Sequence, residues 1–438
     1  MTVVVPRSEH PISRSMIDEE ALKVLYRLHQ HGFLSCLVGG SVRDLLLGKV
    51  PKDFDIATNA HPHEIHALFK NSRIIGRRFR LVHVFFKGGK VVEVSTFRSH
   101  SEFEETLTDD GQILKTDSFG TPQEDALRRD ITINGLFYNI ADFSIIDYVG
   151  GIADLQKNVI RTIGDPDEKF KQDPVRMIRV IRHAARTGFH IEEKTFQAIL
   201  NHREEIKKCS PSRVRDEFLR ELKEGASTSS LRMMIETGLI FSLFPDLRRA
   251  LGDDAILGKK NQDFLLSLCS LLDQLMKAGH IIPESTLLAC FVSLFIRALP
   301  SEHPFLGRRE QSNYRTQTIR WAVHHLLDPF SFPKGAKEMA IQILMAQSNL
   351  INSIQKGVVT KRFRTKKYFK EAVLFFGIEA QAKGEEVPYL LRSAVSSDLL
   401  PWWPKEFKRR RRRSRKRLPS ISSKPREEKG QAVEIKTI

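Results

Sequence analysis

The chain has 438 residues, 41% hydrophobic and 28% charged, with a formal charge of +17. No apolar stretch near the N-terminus approaches the ~20 residues of a membrane span, and residues 1–14 lack the apolar centre of a signal peptide, which argues against a membrane or secreted protein and predicts a cytoplasmic one. The four cysteines, Cys36, Cys209, Cys269 and Cys290, show no metal-ligand spacing and are expected to be reduced thiols.

The length predicts two to four structural units. Residues 15–32 read as a helix, with Ser15 as cap, Asp18, Glu19 and Glu20 at its positive dipole end, and Gly32 closing it. Short strands are predicted over 35–38, 54–57, 81–86 and 91–97, the last two forming a hairpin through Gly88 and Gly89. Helices are expected over 42–47 and from Pro62, whose ring suits a first helical turn. The polar, acid-rich stretch 99–120 reads as a mobile loop. From Asp173 onward the apolar spacing is helical, as in Val175, Ile178, Val180, Ile181 and Ala185, and predicts an all-α second half. Beyond Trp403 the chain is too polar to offset the entropy of ordering, so a disordered tail is expected. Nine of the ten residues 408–417 are Lys or Arg, and subtracting those nine from +17 leaves +8 on the rest. The whole chain therefore suits a polyanionic partner.

Chemistry concentrates at Gly39, Gly40 and the acids that follow. A strand ending in two glycines and opening into a helix lets backbone N–H groups approach a phosphate. Asp53 and Asp55, spaced i and i+2, place two carboxylates on one face of a strand, an arrangement suited to Mg²⁺. Glu93, in the otherwise apolar run Val91-Val92-Glu93-Val94, is the candidate third acid, since an unpaired carboxylate there would be costly. His83 reads as a core histidine or, less simply, as a ligand. Residues 361–370 interleave cations with aromatics, which fits either an RNA-tracking surface or an amphipathic helix with snorkelling lysines.

The succession Gly39-Gly40, Val42-Arg43-Asp44 and Asp53-Phe54-Asp55 resembles the head domain of class II nucleotidyltransferases, the family of bacterial poly(A) polymerases and CCA-adding enzymes. Arg128-Arg129-Asp130-Ile131-Thr132-Ile133-Asn134 matches that family's Arg-Arg-Asp-x-Thr-Ile-Asn element. Asp173-Pro174-Val175-Arg176 matches its Glu-Asp-x-x-Arg element, with Gln172 in place of the usual Glu. The resemblance implies an α+β protein: a small mixed-sheet catalytic head (1–150), an all-α neck (151–225) and body (226–400) that bind RNA, and the basic tail (401–438). It also implies that Asp173 and Arg176 select the incoming nucleotide and that Asp130 belongs to the active centre. Asp130 then either assists the metal or holds Arg128 and Arg129 by charge-assisted hydrogen bonds. Gly39, Gly40, Arg43, Arg128, Arg129 and Asn134 complete the expected nucleotide site.

Within the family, Gly76-Arg77-Arg78-Phe79 resembles the poly(A) polymerase branch, where CCA-adding enzymes generally carry a Gly-Thr strand. Pro401-Trp402-Trp403 and the arginine-rich tail agree. The resemblance implies AMP transfer from ATP to RNA 3′ ends with pyrophosphate release, Mg²⁺ as cofactor, a role in mRNA processing and turnover, and RNA-decay proteins among the partners. Arg77, Arg78, Arg409, Arg410, Arg411, Arg412 and Arg413 are expected to contact RNA. The alternatives are CCA addition to tRNA and a noncatalytic RNA-binding protein.

Overall fold

A computed structural model describes residues 2–76, 80–99, 104–107, 113–116, 119–252, 255–299 and 308–394. Arg77, Arg78, Phe79 and everything beyond residue 394, including Arg409 to Arg413, lie outside the described residues.

The strands are β1 (Val3–Val5), β2 (Ser35–Val38), β3 (Asp55–Thr58), β4 (Ser72–Ile75), β5 (Leu81–Phe85), β6 (Val91–Thr96), β7 (Glu104–Leu107), β8 (Ile113–Thr116), β9 (Leu136–Asn139), β10 (Ile145–Asp147), β11 (Val159–Ile160) and β12 (His190–Ile191). Eight of them form one mixed sheet in the order β1-β10-β9-β2-β3-β6-β5-β4. Its one parallel pair is β3 with β6. Strand β2 lies between β3 and β9, and all four of its residues are buried, which is why it reads as an unbroken apolar run.

The interspersed helices are α1 (Glu19–Gln30), α2 (Gly40–Leu46), α3 (Pro62–Leu68), α4 (Pro122–Arg128) and α5 (Gly151–Lys157). Helix α1 starts later than Ser15 because Asp18 is the better cap: its carboxylate accepts the N–H groups of Glu20 and Ala21 at 3.0 and 3.3 Å. Residues 14–16 form a 3-10 turn instead, capped by Ser13. The predicted loop 99–120 is also corrected, since β7 and β8 pair there as an antiparallel hairpin.

From residue 166 the chain is helical: α6 (Pro166–Gln172), α7 (Val175–Thr187), α8 (Glu193–His202), α9 (Pro211–Lys223), α10 (Ser227–Glu236), α11 (Leu239–Leu243), α12 (Leu247–Leu251), α13 (Ala255–Lys277), α14 (Glu284–Ala298), α15 (Arg308–Leu327), α16 (Lys334–Lys356), α17 (Lys361–Arg364), α18 (Phe369–Ala382) and α19 (Tyr389–Arg392). Among the described residues the one strand in this stretch is the two-residue β12, which pairs in parallel with β11. One apolar core runs from Ile131 and Ile133 through Phe170 and Ile178 to Phe375 and Leu391. The sheet carries separate cores built on residues such as Leu37, Ile56 and Val94 on one face and Val38, Ala57 and Phe137 on the other. The cysteines are all free thiols, three of them buried.

Candidate active site

Antiparallel pairing places Val38, the last residue of β2, opposite Asp55, the first residue of β3. The Gly39-Gly40 turn therefore begins where the carboxylate stands. Gly39 takes φ 72°, a left-handed conformation that favours glycine, and a Cβ there would lie 3.1 Å from Nη1 of Arg129. Asp53 sits in the loop before the strand, not within it. The parallel register of Ile56 with Val94 brings Glu93 beside Asp55 on the neighbouring strand.

Glu93 does not occupy the sheet core. Along β6 the apolar Val92 and Val94 point inward while Glu93 is exposed, 3.6 Å from Nε2 of His83 on β5. His83 accordingly faces this outer side and is no core histidine. Asp55 keeps solvent contact on one side while protein encloses the rest. That enclosure, together with the charges of Glu93 and Asp53, outweighs the opposing pull of Arg129 and raises its pKa to about 6.

The opposite wall belongs to α7. A cleft of about 340 Å³ is lined by Gly39, Gly40 and Asp55 on the sheet side and by Arg128, Arg129, Asp173, Arg176 and the α7 arginines Arg179, Arg182 and Arg186 across from them. Arg176 donates from Nη1 and Nη2 to the carbonyl oxygens of Arg129 and Arg128, each at 3.0 Å, fixing the turn that carries both arginines. Arg129 is held by Asp125 at 2.8 Å and lies over the Phe137 ring. Asp173 accepts from Arg213 at 2.9 Å through Oδ2, while its buried Oδ1 has no hydrogen-bond partner among the described residues.

Asp130 also lines the cleft, on its helix side. Its carboxylate is paired with Arg179 at 2.8 Å and accepts the Ile131 N–H at 2.9 Å, with His183 3.7 Å away. Burial alone would raise its pKa, but Arg179 and these neighbours hold it far below the usual carboxylate range. Its bonds thus tie the motif to α7 instead of bracing Arg128 and Arg129. Arg43 is likewise engaged: 2% exposed, it donates to Asp44 at 2.8 and 2.9 Å and to Asn134 Oδ1 at 2.6 Å. Asn134 in turn lies 3.2 Å from Nε2 of His183. Burial, then the surrounding arginines, keep His183 neutral by lowering its pKa well below the ordinary value, against the opposing pull of Asp130. Arg43 and Asn134 therefore shape the cleft from a buried network.

Sequence reasoning missed Arg179, Arg182, His183 and Arg186, and with them Glu217, which pairs with Arg182 and lies 3.7 Å from Arg179. The signal was present. Arg176, Arg179, Arg182 or His183, and Arg186 recur every three or four residues and share one helical face.

Among the described residues, no three His, Cys, Asp or Glu side chains come together as a ready-made ion cage. The carboxylates of Asp55, Asp53 and Glu93 nevertheless fit a divalent cation. Glu93 and Asp53 raise the cost of ionising Asp55, with Arg129 opposing them, and oxygen donors of this kind suit Mg²⁺, which completes its shell with water and substrate phosphate.

This arrangement, a diglycine turn facing paired acids across from an arginine-lined helix, sits on a fold shared with solved CCA-adding enzymes. A Bacillus stearothermophilus CCA-adding enzyme in complex with CTP superposes with a TM-score of 0.63 at 24% identity, covering 87% of this chain and 82% of that one. A CCA-adding enzyme in complex with ATP gives 0.56 at 21%, covering 87% and 81%. Residues 35–161 match the poly A polymerase head domain, and 188–251 match a probable RNA and SrmB- binding site of polymerase A. Poly(A) polymerase I of Salmonella typhimurium is 47% identical over 252 residues, 56% of this chain and 54% of that protein, so the match spans about half the length of that relative. A CCA-adding enzyme of Lactobacillus delbrueckii subsp. bulgaricus is 33% identical over 306 residues, 69% and 71% of the two chains. The chain belongs to the class II nucleotidyltransferase family of poly(A) polymerases and CCA-adding enzymes. No helix among the described residues is long and apolar enough to cross a membrane.

Proposed function

We propose that this protein transfers AMP from ATP to RNA 3′ hydroxyls without a template, releasing pyrophosphate. The observation that carries this reading is the cleft itself, where a phosphate-receptive glycine turn and the under-compensated carboxylate of Asp55 face a wall of arginines. Such a site suits a nucleoside triphosphate whose charge is shared between a cation and guanidinium groups.

Asp53, Asp55 and Glu93 would hold Mg²⁺. When bound, the metal stabilises the charge that develops on the attacking and leaving oxygens in an in-line displacement. The chain's own residues do the positioning. Backbone N–H groups at Gly39 and Gly40 receive phosphate oxygens, and Arg128 and Arg129, held by Arg176 and Asp125, receive the rest of the triphosphate. The unpaired Oδ1 of Asp173 is free to accept an exocyclic amino group of the base. Both the hydroxyl proton and pyrophosphate leave to solvent through the open side of the cleft.

Adenylate rather than CCA addition is favoured by Gly76-Arg77-Arg78-Phe79 and by the identity to relatives named poly(A) polymerase I. Arg77, Arg78 and the run containing Arg409, Arg410, Arg411, Arg412 and Arg413 would contact RNA. A cytoplasmic place in mRNA processing and turnover, beside RNA-decay proteins, follows from the same reading. Incubation with single nucleotides separates the outcomes: ATP should extend unstructured RNA far better than CTP does. CTP incorporation confined to a tRNA lacking its terminal CCA would establish CCA addition instead, and no incorporation with either RNA would leave a noncatalytic binder.

A further inference from the structure

Away from the cleft, many surface cations lie against a carboxylate: Lys23 on Glu20, Lys223 on Glu284 and Lys383 on Glu379. Residues 361–370 depart from this. Lys361, Arg362, Arg364, Lys366, Lys367 and Lys370 are all exposed, and among the described residues none makes an ion pair. The nearest acid in sequence, Glu371, turns away and accepts from Ser285 and Thr286 on α14. Six unneutralised cations within ten residues repel one another, and a fold keeps them so close only at a cost that a polyanion would relieve.

The segment is also held in shape. Thr360 caps α17, accepting the Phe363 N–H at 3.3 Å. Phe363 packs edge-on against Phe369 at 5.1 Å, and Phe369 is buried in the helical core. Two of the interleaved aromatics are thus anchors. The third, Tyr368, is half-buried and lines a groove of about 270 Å³ between α15 and α16, together with Arg315, Thr316, Gln342 and Asn349. Arg315 is exposed and, among the described residues, also makes no ion pair. An aromatic ring, a guanidinium and two carboxamides in one slot offer a stacking face and hydrogen bonds to base edges, beside cations spaced for a phosphate backbone.

From this juxtaposition we infer that residues 361–370 and the α15–α16 groove form a binding site for single-stranded RNA, distinct from the cleft, that carries the chain upstream of the 3′ end being extended. It rests on the reading that RNA is the acceptor. A purely electrostatic site for an acidic protein segment would need the cations but not the carboxamide-lined slot.

The test measures the salt dependence of binding to labelled oligoadenylates of about 20 nucleotides by the full-length protein. The variant Lys366→Gln/Lys367→Gln/Lys370→Gln should flatten the slope of log affinity against log salt by about 2, at roughly 0.7 for each lost phosphate contact. The matched variant Lys23→Gln/Lys223→Gln/Lys383→Gln, which removes the same charge from paired sites, should leave that slope within 0.5 or so of the parent. Tyr368→Leu, which keeps the apolar packing, should weaken binding about tenfold with little change in slope. A trinucleotide, bound at the cleft alone, should be held equally by parent and triple variant. An unchanged slope, an equal flattening in the matched variant, or equal loss on the trinucleotide would each overturn the site. Failure of every nucleotide to be incorporated would sink the proposed reaction without touching these binding results.

Discussion

Two walls of one cleft treat the same side chain in opposite ways. On the sheet side, Asp55 is largely enclosed and stands near Glu93 and Asp53, with Arg129 opposing them, and its pKa rises to about 6. On the helix side, Asp130 is fully buried, yet Arg179 and the Ile131 N–H drive its pKa down. The difference separates roles. A carboxylate left short of positive charge is prepared for a cation that arrives with substrate, whereas a carboxylate whose charge is already met holds the architecture together.

Removing the under-compensated acids should have the largest effect on turnover. Asp53→Ala or Asp55→Ala is expected to lower nucleotide addition roughly a thousandfold while the circular dichroism spectrum and RNA affinity stay near those of the parent. Extension within a few-fold of the parent would dissolve the contrast between the two walls. On the other wall the expectation reverses, because Arg179→Met strands the Asp130 charge. As Arg179 is partly open to the cleft, the cost should be about 2 kcal/mol in denaturant unfolding, less than for a fully enclosed pair. Adding Asp130→Asn should recover part of that loss, and strictly additive effects would show that the two residues do not act as a pair.

The raised pKa of Asp55 sharpens the comparison through pH. This carboxylate is charged only above about 6, so at low magnesium the rate should fall as pH drops through that value. Higher magnesium favours the ionised form and should move the midpoint to lower pH; a midpoint indifferent to magnesium would detach Asp55 from metal binding. The smallest effect is expected at Glu221, buried in α9 and bonded to Ser230, with a pKa raised from 4.5 to about 8 by burial. A raised carboxylate pKa means the folded state binds the proton more tightly than the unfolded state, so stability is fullest below 4.5 and is lost as pH rises towards 8. Glu221→Gln should therefore raise Tm by about 2 °C at pH 8.5, with the gain vanishing at pH 4.

The glycine turn and Asp55 were readable in the sequence because their chemistry depends on neighbours in the chain. So were β2, β5 and β6, whose apolar residues are continuous or alternate. The strands β1, β4, β9 and β10 were not, since each has only three or four residues and none shows a clear alternation. The hairpin β7–β8 was hidden by its acidic and polar residues. The roles of Arg43 and Asp130 were also out of reach. Two of the partners, Asn134 for Arg43 and Arg179 for Asp130, lie 91 and 49 residues away in sequence, and only folding reveals that each side chain is already engaged. The α7 arginine face could have been read from its spacing alone.

Ile131 and Ile133, which flank Thr132 in the arginine-rich motif, are packed into the helical core that continues to Leu391, not into the cores of the sheet. The arginines proposed to position the triphosphate are therefore mechanically tied to the C-terminal helices. A fragment ending near residue 150 would leave these two side chains facing water and the motif without its support, so the sheet should not retain a functional cleft when separated. In the intact chain, heat or denaturant that loosens the distant helices should abolish nucleotide binding in the same transition, long before the sheet itself melts.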